Sequence, residues 1–264
     1  MQKLNLVNKK AGSIDYEVYT FPDGEKQLNI LSELDHKELV LIVCRITNGD
    51  DLFLLLQAAD ILTAHGMDFN INILYLMSAR TDRRFTMNRP LSYKIVCDIL
   101  NTIKCYKYVL DVHNPCKGYL ENTVIYSRNT AEIRYDMLCF PDTGAKKRYQ
   151  SNDALCCEKV RDSEGNLSGF TVINPEDFKG GSILVKDDLC DGGGTFVGIA
   201  KELRKLNPTS IMLQVTHAIQ TDGLRKVSEV YDKVYITNSY PVDCDFSNVI
   251  IEDVTSGESF LEVL

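Results

Sequence analysis

Three carboxylates and three consecutive glycines lie close together in the second half of the chain. Asp187 and Asp188 follow the apolar run 182–185, and the segment Asp-Gly-Gly-Gly-Thr extends from Asp191 to Thr195. Carboxylates accept hydrogen bonds from sugar hydroxyls, whereas consecutive glycines let several backbone N–H groups point at one phosphate. The pattern therefore indicates a site for a phosphorylated sugar.

A strand and a helix must position this loop. Residues 182–185 are apolar and partly β-branched, as in a buried strand, and residues 196–206 place Phe196, Ile199 and Leu203 on one helical face. The carboxylates then stand at the carboxyl end of a strand, where open α/β sheets hold their ligands. The glycine spacing differs from that of a P-loop and from that of a dinucleotide-binding fold. The alternative is a turn that only connects two elements.

Other residues suited to chemistry also follow predicted strands. The first half is predicted to alternate strands and helices over 38–44, 50–64, 70–77, 90–103 and 106–112. A basic cluster from Arg80 to Arg84 follows the second strand, and His113 follows the third. This alternation predicts an α/β fold with mainly parallel sheets flanked by helices.

The pattern restarts after Glu121, which predicts two domains, residues 1–128 and 129–264. The second domain is predicted to contain strands over 136–140, 154–159, 182–185, 210–217, 234–237 and 249–251. Residues 160–168 are polar and contain glycine, as expected of a mobile loop or a hairpin tip. The basic groups Lys146-Lys-Arg148 and Lys159-Val-Arg161 either meet phosphates or form a solvated face.

Composition limits the class of protein. The chain has 264 residues, 44% of them hydrophobic, which predicts a globular protein. Its net charge of −8 argues against nucleic-acid binding. The apolar runs fall short of the ~20 residues that span a bilayer, and the first ten residues lack a signal-peptide core, so the expected location is cytoplasmic. The nine cysteines are expected to be reduced and not to bind metal.

With these residues in place, the chain resembles the ribose-phosphate diphosphokinases, the phosphoribosyl pyrophosphate synthetase family, from Phe21 to about Tyr240. The resemblance rests on these ordered motifs: Phe21-Pro-Asp-Gly-Glu25, Ala79-Arg-Thr-Asp-Arg-Arg84, Asp111-Val-His113, Pro141-Asp-Thr-Gly144, Lys159-Val-Arg161, Asp187-Asp-Leu-Cys-Asp-Gly-Gly-Gly-Thr195 and Thr216-His217. It implies two tandem phosphoribosyltransferase-type domains, the first on the ATP side and the second for ribose phosphate.

The resemblance also implies an activity. Such enzymes transfer the β,γ-pyrophosphoryl group of MgATP to the anomeric hydroxyl of ribose 5-phosphate and release AMP. The residues it assigns to ATP are Phe21, Asp23, Glu25, Arg80, Thr81 and Asp82, where Thr81 replaces the family's usual glutamine. The residues it assigns to ribose phosphate are Asp187, Asp188, Asp191, Gly192, Gly193, Gly194 and Thr195.

Catalytic and metal roles follow from the same resemblance. Lys159 and Arg161 match the basic pair of a flexible catalytic loop, and His113 matches a histidine near the transferred phosphates. Asp142 and His113 are the candidate Mg²⁺ residues, with Asp142 preferred because Mg²⁺ favours oxygen ligands.

Two departures from the family pattern leave alternatives open. Gly192 stands where the family usually has a threonine, so the acceptor is either ribose 5-phosphate or one with a substituted 5-phosphate, such as ADP-ribose. The chain is shorter than typical members, so the expected homo-oligomer is a dimer or a hexamer. Less favoured functions are a phosphoribosyltransferase and a non-catalytic regulatory homologue.

Overall fold

The computed structural model describes residues 1–84, 86–114, 118–128, 132–151, 153–161, 164 and 167–257. The chain divides into two compact units. The first contains Met1–Ser127 together with the described residues from Asp253 onward, and the second is Arg128–Glu252.

Five parallel strands form the sheet of the first unit. Their spatial order is β1 (Gln2–Asn5), β4 (Val40–Ile46), β5 (Phe69–Leu76), β6 (Lys107–Leu110) and β7 (Thr123–Tyr126). A separate antiparallel hairpin joins β2 (Tyr16–Thr20) to β3 (Lys26–Ile30), and the helices are α1 (Gly49–Ala64) and α2 (Ser92–Leu100). The interior strand β4 is buried at six of its seven residues, as expected where both faces of a parallel sheet are covered.

Seven strands form the sheet of the second unit. Their spatial order is β10 (Leu167–Ile173), β9 (Ala154–Arg161), β8 (Met137–Phe140), β11 (Ser182–Cys190), β12 (Ser210–Ala218), β13 (Lys233–Thr237) and β14 (Val249–Glu252). The pair β9–β10 is antiparallel and the other pairs are parallel. The helices are α3 (Thr143–Arg148), α4 (Gly194–Arg204) and α5 (Thr221–Ser228).

The predicted α/β class with mainly parallel sheets is confirmed, and the predicted strands and helices are present within a few residues of their expected bounds. Strand β11 is longer than predicted, because its pairing with β12 continues to Cys190 opposite Ala218. Strands β1, β3, β7 and β10 and helices α3 and α5 were not predicted. The tip predicted within 160–168 lies largely outside the described residues.

The C-terminal residues 253–257 pack in the first unit rather than in the second, where the sequence-based division had placed them. Val254 is fully buried in a cluster with Leu41 and Val43, and the Asn5 side chain donates a hydrogen bond of 2.7 Å to the Thr255 carbonyl. Apolar burial against the first sheet therefore holds this segment in the first unit. None of the described helices has the length and apolar character needed to cross a membrane.

Candidate active site

Asp187 and Asp188 lie within strand β11, whereas the sequence had placed them just after its end. Asp187 pairs with Val215 of β12, and the strand continues for two residues after Asp188. Asp188 is 2% exposed, whereas the Asp187 side chain is 18% exposed. The adjacent Cys190 thiol is buried, which raises its pKa to about 12, so it is protonated near neutral pH. This thiol is therefore not a nucleophile.

Arg148 is the cation that neutralises these carboxylates. It is the last residue of α3, its side chain is 10% exposed, and its guanidinium lies 3.0 Å from Asp187 Oδ1 and also contacts Asp188 Oδ1. Burial raises the pKa of Asp187, the charge of Asp188 raises it further, and Arg148 partly offsets both. Sequence reasoning assigned the group 146–148 to phosphates or solvent and missed this pairing. The helix-capping residue Asp142 was the signal that a short helix would carry Arg148.

The glycine loop contains one glycine that the backbone requires and two that it does not. Gly193 caps α4 with φ +75°, and a Cβ there would lie 2.6 Å from the Gly223 carbonyl oxygen. A Cβ at Gly192 or at Gly194 would meet no atom within 4 Å. Gly194 is exposed, and Gly192 and Thr195 are half-buried. The loop is therefore accessible, and side chains at two of its glycine positions would fit.

Helix α5 and its N-capping residue Gln220 support this loop. The Gln220 side-chain amide donates a hydrogen bond of 2.7 Å to Asp191 Oδ1, and Lys226 Nζ lies 3.5 Å from the Gly192 carbonyl oxygen. Gly223 is buried, and a Cβ there would overlap the Asp191 carbonyl oxygen. The close approach of the two backbones therefore depends on Gly223. Sequence reasoning missed these α5 contacts because residues 220–226 match none of the motifs.

Lys159 and Arg161 lie on a strand, which corrects their placement on a flexible loop. Both belong to β9, where Lys159 pairs with Phe170 and Arg161 with Leu167 of β10. Both are exposed, and their spacing of two residues puts them on one face of the hairpin. The hairpin pairing continues the strand past residue 159, the end predicted from sequence.

Asp142 has a structural role. Its Oδ1 accepts a hydrogen bond of 2.9 Å from the Ala145 backbone N–H and caps α3. Among the described residues, no group of three or more histidine, cysteine, aspartate or glutamate side chains forms a metal cage.

In the first unit, the segment from Phe21 to Glu25 is the tight turn of the β2–β3 hairpin. The Phe21 N–H donates to the Glu25 carbonyl at 2.8 Å, and Asp23 Oδ1 accepts from the Glu25 N–H at 3.1 Å. Phe21 is 42% exposed and meets Tyr19 edge to face. The turn therefore presents an aromatic ring to solvent.

Two loops at neighbouring strand ends meet in the same unit. Asp82, after β5, is buried and accepts a hydrogen bond from the side chain of Asn114, which follows β6. Arg80 and Thr81 are exposed, and His113 is half-buried. The structure thus links the loop that contains Arg80 with the loop that contains His113, and Asp82 provides the link.

The Thr216-His217 motif is part of a buried polar network at the end of β12. His217 is 3% exposed and its Nδ1 lies 2.7 Å from Ser239 Oγ. Thr237 Oγ1 donates to the Thr216 carbonyl at 2.7 Å. These contacts join the end of β12 to that of β13, so His217 is a structural residue next to the loop.

Taken together, the fold and the site define an α/β protein of two units, the second of which has a loop suited to a phosphorylated sugar. No family model matches the chain. A solved structure of phosphoribosylpyrophosphate synthetase from Mycobacterium smegmatis has the same fold, with a TM-score of 0.70 and 18% identity; the match covers 94% of this chain and 91% of that one. This likeness confirms the predicted fold class.

The chain is homologous to ribose-phosphate pyrophosphokinases, which are enzymes. The one from Pyrococcus furiosus is 29% identical over 266 residues, 93% of each protein. The one from Pyrococcus abyssi is 26% identical over 268 residues, 96% of this chain and 93% of that protein. The predicted resemblance is therefore confirmed over most of the chain.

Proposed function

We propose that this protein transfers the β,γ-pyrophosphoryl group of ATP to the anomeric hydroxyl of a ribose 5-phosphate moiety and releases AMP. The observation that carries the proposal is the accessible glycine loop beside Asp187 and Asp188. The names of the homologues support the same activity.

The reaction needs positioning and charge compensation more than covalent help from the protein. The anomeric oxygen bonds to the β-phosphorus, and the bond from that phosphorus to the oxygen bridging the α-phosphate breaks. AMP leaves with the bridging oxygen, and the hydroxyl proton is released. Lys159 and Arg161 are exposed cations on one face of β9, and we assign them to the transferred phosphates.

The remaining predicted residues bind the substrates. Phe21, Asp23, Glu25, Arg80, Thr81 and Asp82 are assigned to ATP, with Asp82 acting through its bond to Asn114. Asp142 is the preferred Mg²⁺ residue and His113 the other candidate; Mg²⁺ would neutralise phosphate charge. Asp187 and Asp188 take the ribose hydroxyls, and residues 191–195 take the 5-phosphate.

The test is to incubate the protein with ATP, Mg²⁺ and ribose 5-phosphate and to measure AMP and the sugar product. Lys159→Ala should lower kcat about 100-fold with little change in ATP binding, because charge compensation is lost in the transition state. Lys179→Ala is the matched control, since Lys179 is exposed and precedes β11 at its amino end. Nucleotide formation from a free base and phosphoribosyl pyrophosphate, without AMP from ATP, would instead indicate a phosphoribosyltransferase.

ADP-ribose is a second candidate acceptor because of Gly192. Neither backbone strain nor crowding requires a glycine there, so the missing side chain leaves room beside the 5-phosphate. Rates with ribose 5-phosphate and ADP-ribose at equal ATP and Mg²⁺ decide between the acceptors. Gly192→Thr should shift the ratio toward ribose 5-phosphate, and rapid turnover of ribose 5-phosphate with none of ADP-ribose would exclude the second candidate.

We also propose that the protein is a homo-oligomer, a dimer or a hexamer. Tyr19 and Phe21 are 44% and 42% exposed on the β2–β3 hairpin and their rings meet edge to face, and contiguous exposed apolar side chains are typical of interfaces. Light scattering on the wild type and on Phe21→Asp would test this, and a monomeric wild type would contradict it.

A further inference from the structure

Lys226 brings a positive charge to the glycine loop from outside the loop itself. It is exposed on α5, and its Nζ lies 3.5 Å from the Gly192 carbonyl oxygen, at the outer limit of a hydrogen bond. An ammonium group has three donors, so this long contact leaves Lys226 able to bind an anion. A lysine placed here can therefore contribute to binding on the Gly192 side of the loop.

The Gly192 side of the loop is open. The position where a Cβ would stand has no neighbouring atom within 4 Å, and the Gly192 backbone lies outside the left-handed region. Position 193, by contrast, requires glycine both because its φ of +75° is in the left-handed region and because a Cβ would lie 2.6 Å from the Gly223 carbonyl oxygen. The fold of the loop therefore does not require a glycine at position 192, and the space beside it would accept a side chain.

The position of Lys226 relative to the loop is fixed by two other α5 contacts. Gln220 holds the Asp191 carboxylate, and the buried Gly223 lets the helix backbone approach the Asp191 carbonyl. Leu224 and Val227 bury the inner face of α5 in the core of the second unit. Lys226 is thus presented to the loop by a helix that is anchored on either side of it.

We propose that Lys226 is a specificity-determining residue that binds a phosphoryl group attached to the acceptor's 5-phosphate. This inference rests on the proposed function and specifies its acceptor class: a ribose 5-phosphate esterified through a diphosphate, as in ADP-ribose. The glycine loop binds the phosphate nearest the sugar. The open space at Gly192 accommodates the substituent, and Lys226 binds the second phosphate. A charge-assisted hydrogen bond to a phosphate oxygen supplies the discrimination.

The experiment is direct calorimetric titration of wild type and Lys226→Ala with ADP-ribose and with ribose 5-phosphate, with circular dichroism to check folding. We expect Lys226→Ala to weaken ADP-ribose binding about tenfold and ribose 5-phosphate binding by less than about twofold. Lys226→Arg should keep most of the affinity. The control is Arg225→Ala, which removes an exposed cation that pairs with Asp222 on the same helix and should change neither affinity.

Other outcomes overturn the inference in distinguishable ways. Equal weakening of both ligands would assign Lys226 to the 5-phosphate that they share, and no change would remove it from the site. Wild-type protein that binds ribose 5-phosphate but not ADP-ribose would reject the inference and leave the proposed pyrophosphoryl transfer intact. Wild-type protein that binds neither ligand and forms no AMP would reject the proposed function itself.

Discussion

Arg148 is the charged partner of the two carboxylates at the proposed acceptor site. Two adjacent carboxylates on a buried strand repel each other and lose hydration, and the pKa of Asp187 is raised accordingly. One guanidinium that contacts both acids partly offsets this repulsion. The Lys186 side chain, also buried, lies 4.5 Å from the ring centre of Tyr149 and donates to the Arg128 carbonyl at 3.0 Å. The Lys186 ammonium is therefore directed to the Arg128 carbonyl and the Tyr149 ring, whereas the Arg148 guanidinium contacts the acidic pair.

Replacement of Arg148 should destabilise the protein strongly. Arg148→Met leaves two buried carboxylates without their cation, so we expect the free energy of unfolding to fall by about 3 kcal/mol. Urea unfolding monitored by circular dichroism measures this change. Arg204→Met is the matched control, because the Arg204–Asp232 pair is 43% and 44% exposed and should contribute about 1 kcal/mol or less. Equal losses in the two variants would contradict the role of Arg148.

The raised pKa of Asp187 predicts the sign of a pH dependence. Between the ordinary pKa of 3.8 and its raised value, the folded protein binds more protons at this group than the unfolded chain does. The contribution of Asp187 to stability therefore falls as pH rises through this range. Asp187→Asn removes the titrating group. The unfolding free energy of the variant minus that of the wild type should therefore increase as pH rises above about 4. Urea titrations at several pH values test this, and a constant difference would contradict it.

At the scale of elements, the β9–β10 hairpin connects the proposed catalytic cations to the loop helix. Phe170 of β10 pairs with Lys159 and packs over Gly198 of α4, where a Cβ would overlap its ring. Helix α4 begins at the glycine loop. The position of Lys159 relative to that loop therefore depends on how closely Phe170 approaches Gly198.

Gly198→Ala tests this packing. The alanine gains about 1 kcal/mol of helix propensity, but its methyl group overlaps the Phe170 ring and overpacking costs about 1–3 kcal/mol. We expect a net loss of stability and a lower kcat, and both should recover in the Gly198→Ala/Phe170→Ala double variant relative to Phe170→Ala alone. Unfolding and AMP release measure the two effects. Gly49→Ala is the control, since a Cβ at this first residue of α1 meets nothing.

The sequence predicts those elements whose structure depends mainly on their own residues. The apolar run of β4, the 16-residue helix α1 and the glycine loop were predicted from local patterns alone. Helix α3 has six residues, too few for helical periodicity, and β10 exists through its pairing with β9. The pairing of Arg148 with Asp187, 39 residues apart, depends on tertiary packing that local patterns do not report.

At the scale of the whole molecule, each unit has its own core. The chain leaves the first unit after Ser127, completes the second, and returns to the first at Asp253. There Lys3 donates to the Ser256 carbonyl at 2.7 Å, and Gly257, with φ +73°, lies against Val43. The first unit is therefore completed by residues that follow the second unit in the chain, and its stability should depend on them.

Val254→Ala tests that dependence. Val254 is fully buried with Leu41, Val43, Leu74, Leu110 and Tyr126, so loss of two methyl groups should lower the unfolding free energy by about 2 kcal/mol. Ile250→Ala on β14 is the control, because Ile250 is 45% exposed and its loss should cost about 0.5 kcal/mol or less. Hydrogen exchange shows which unit is destabilised: Val254→Ala should speed exchange in β4 and β5 and leave exchange in β11 and β12 unchanged. Faster exchange in β11 instead would mean that the C-terminal segment stabilises the second unit.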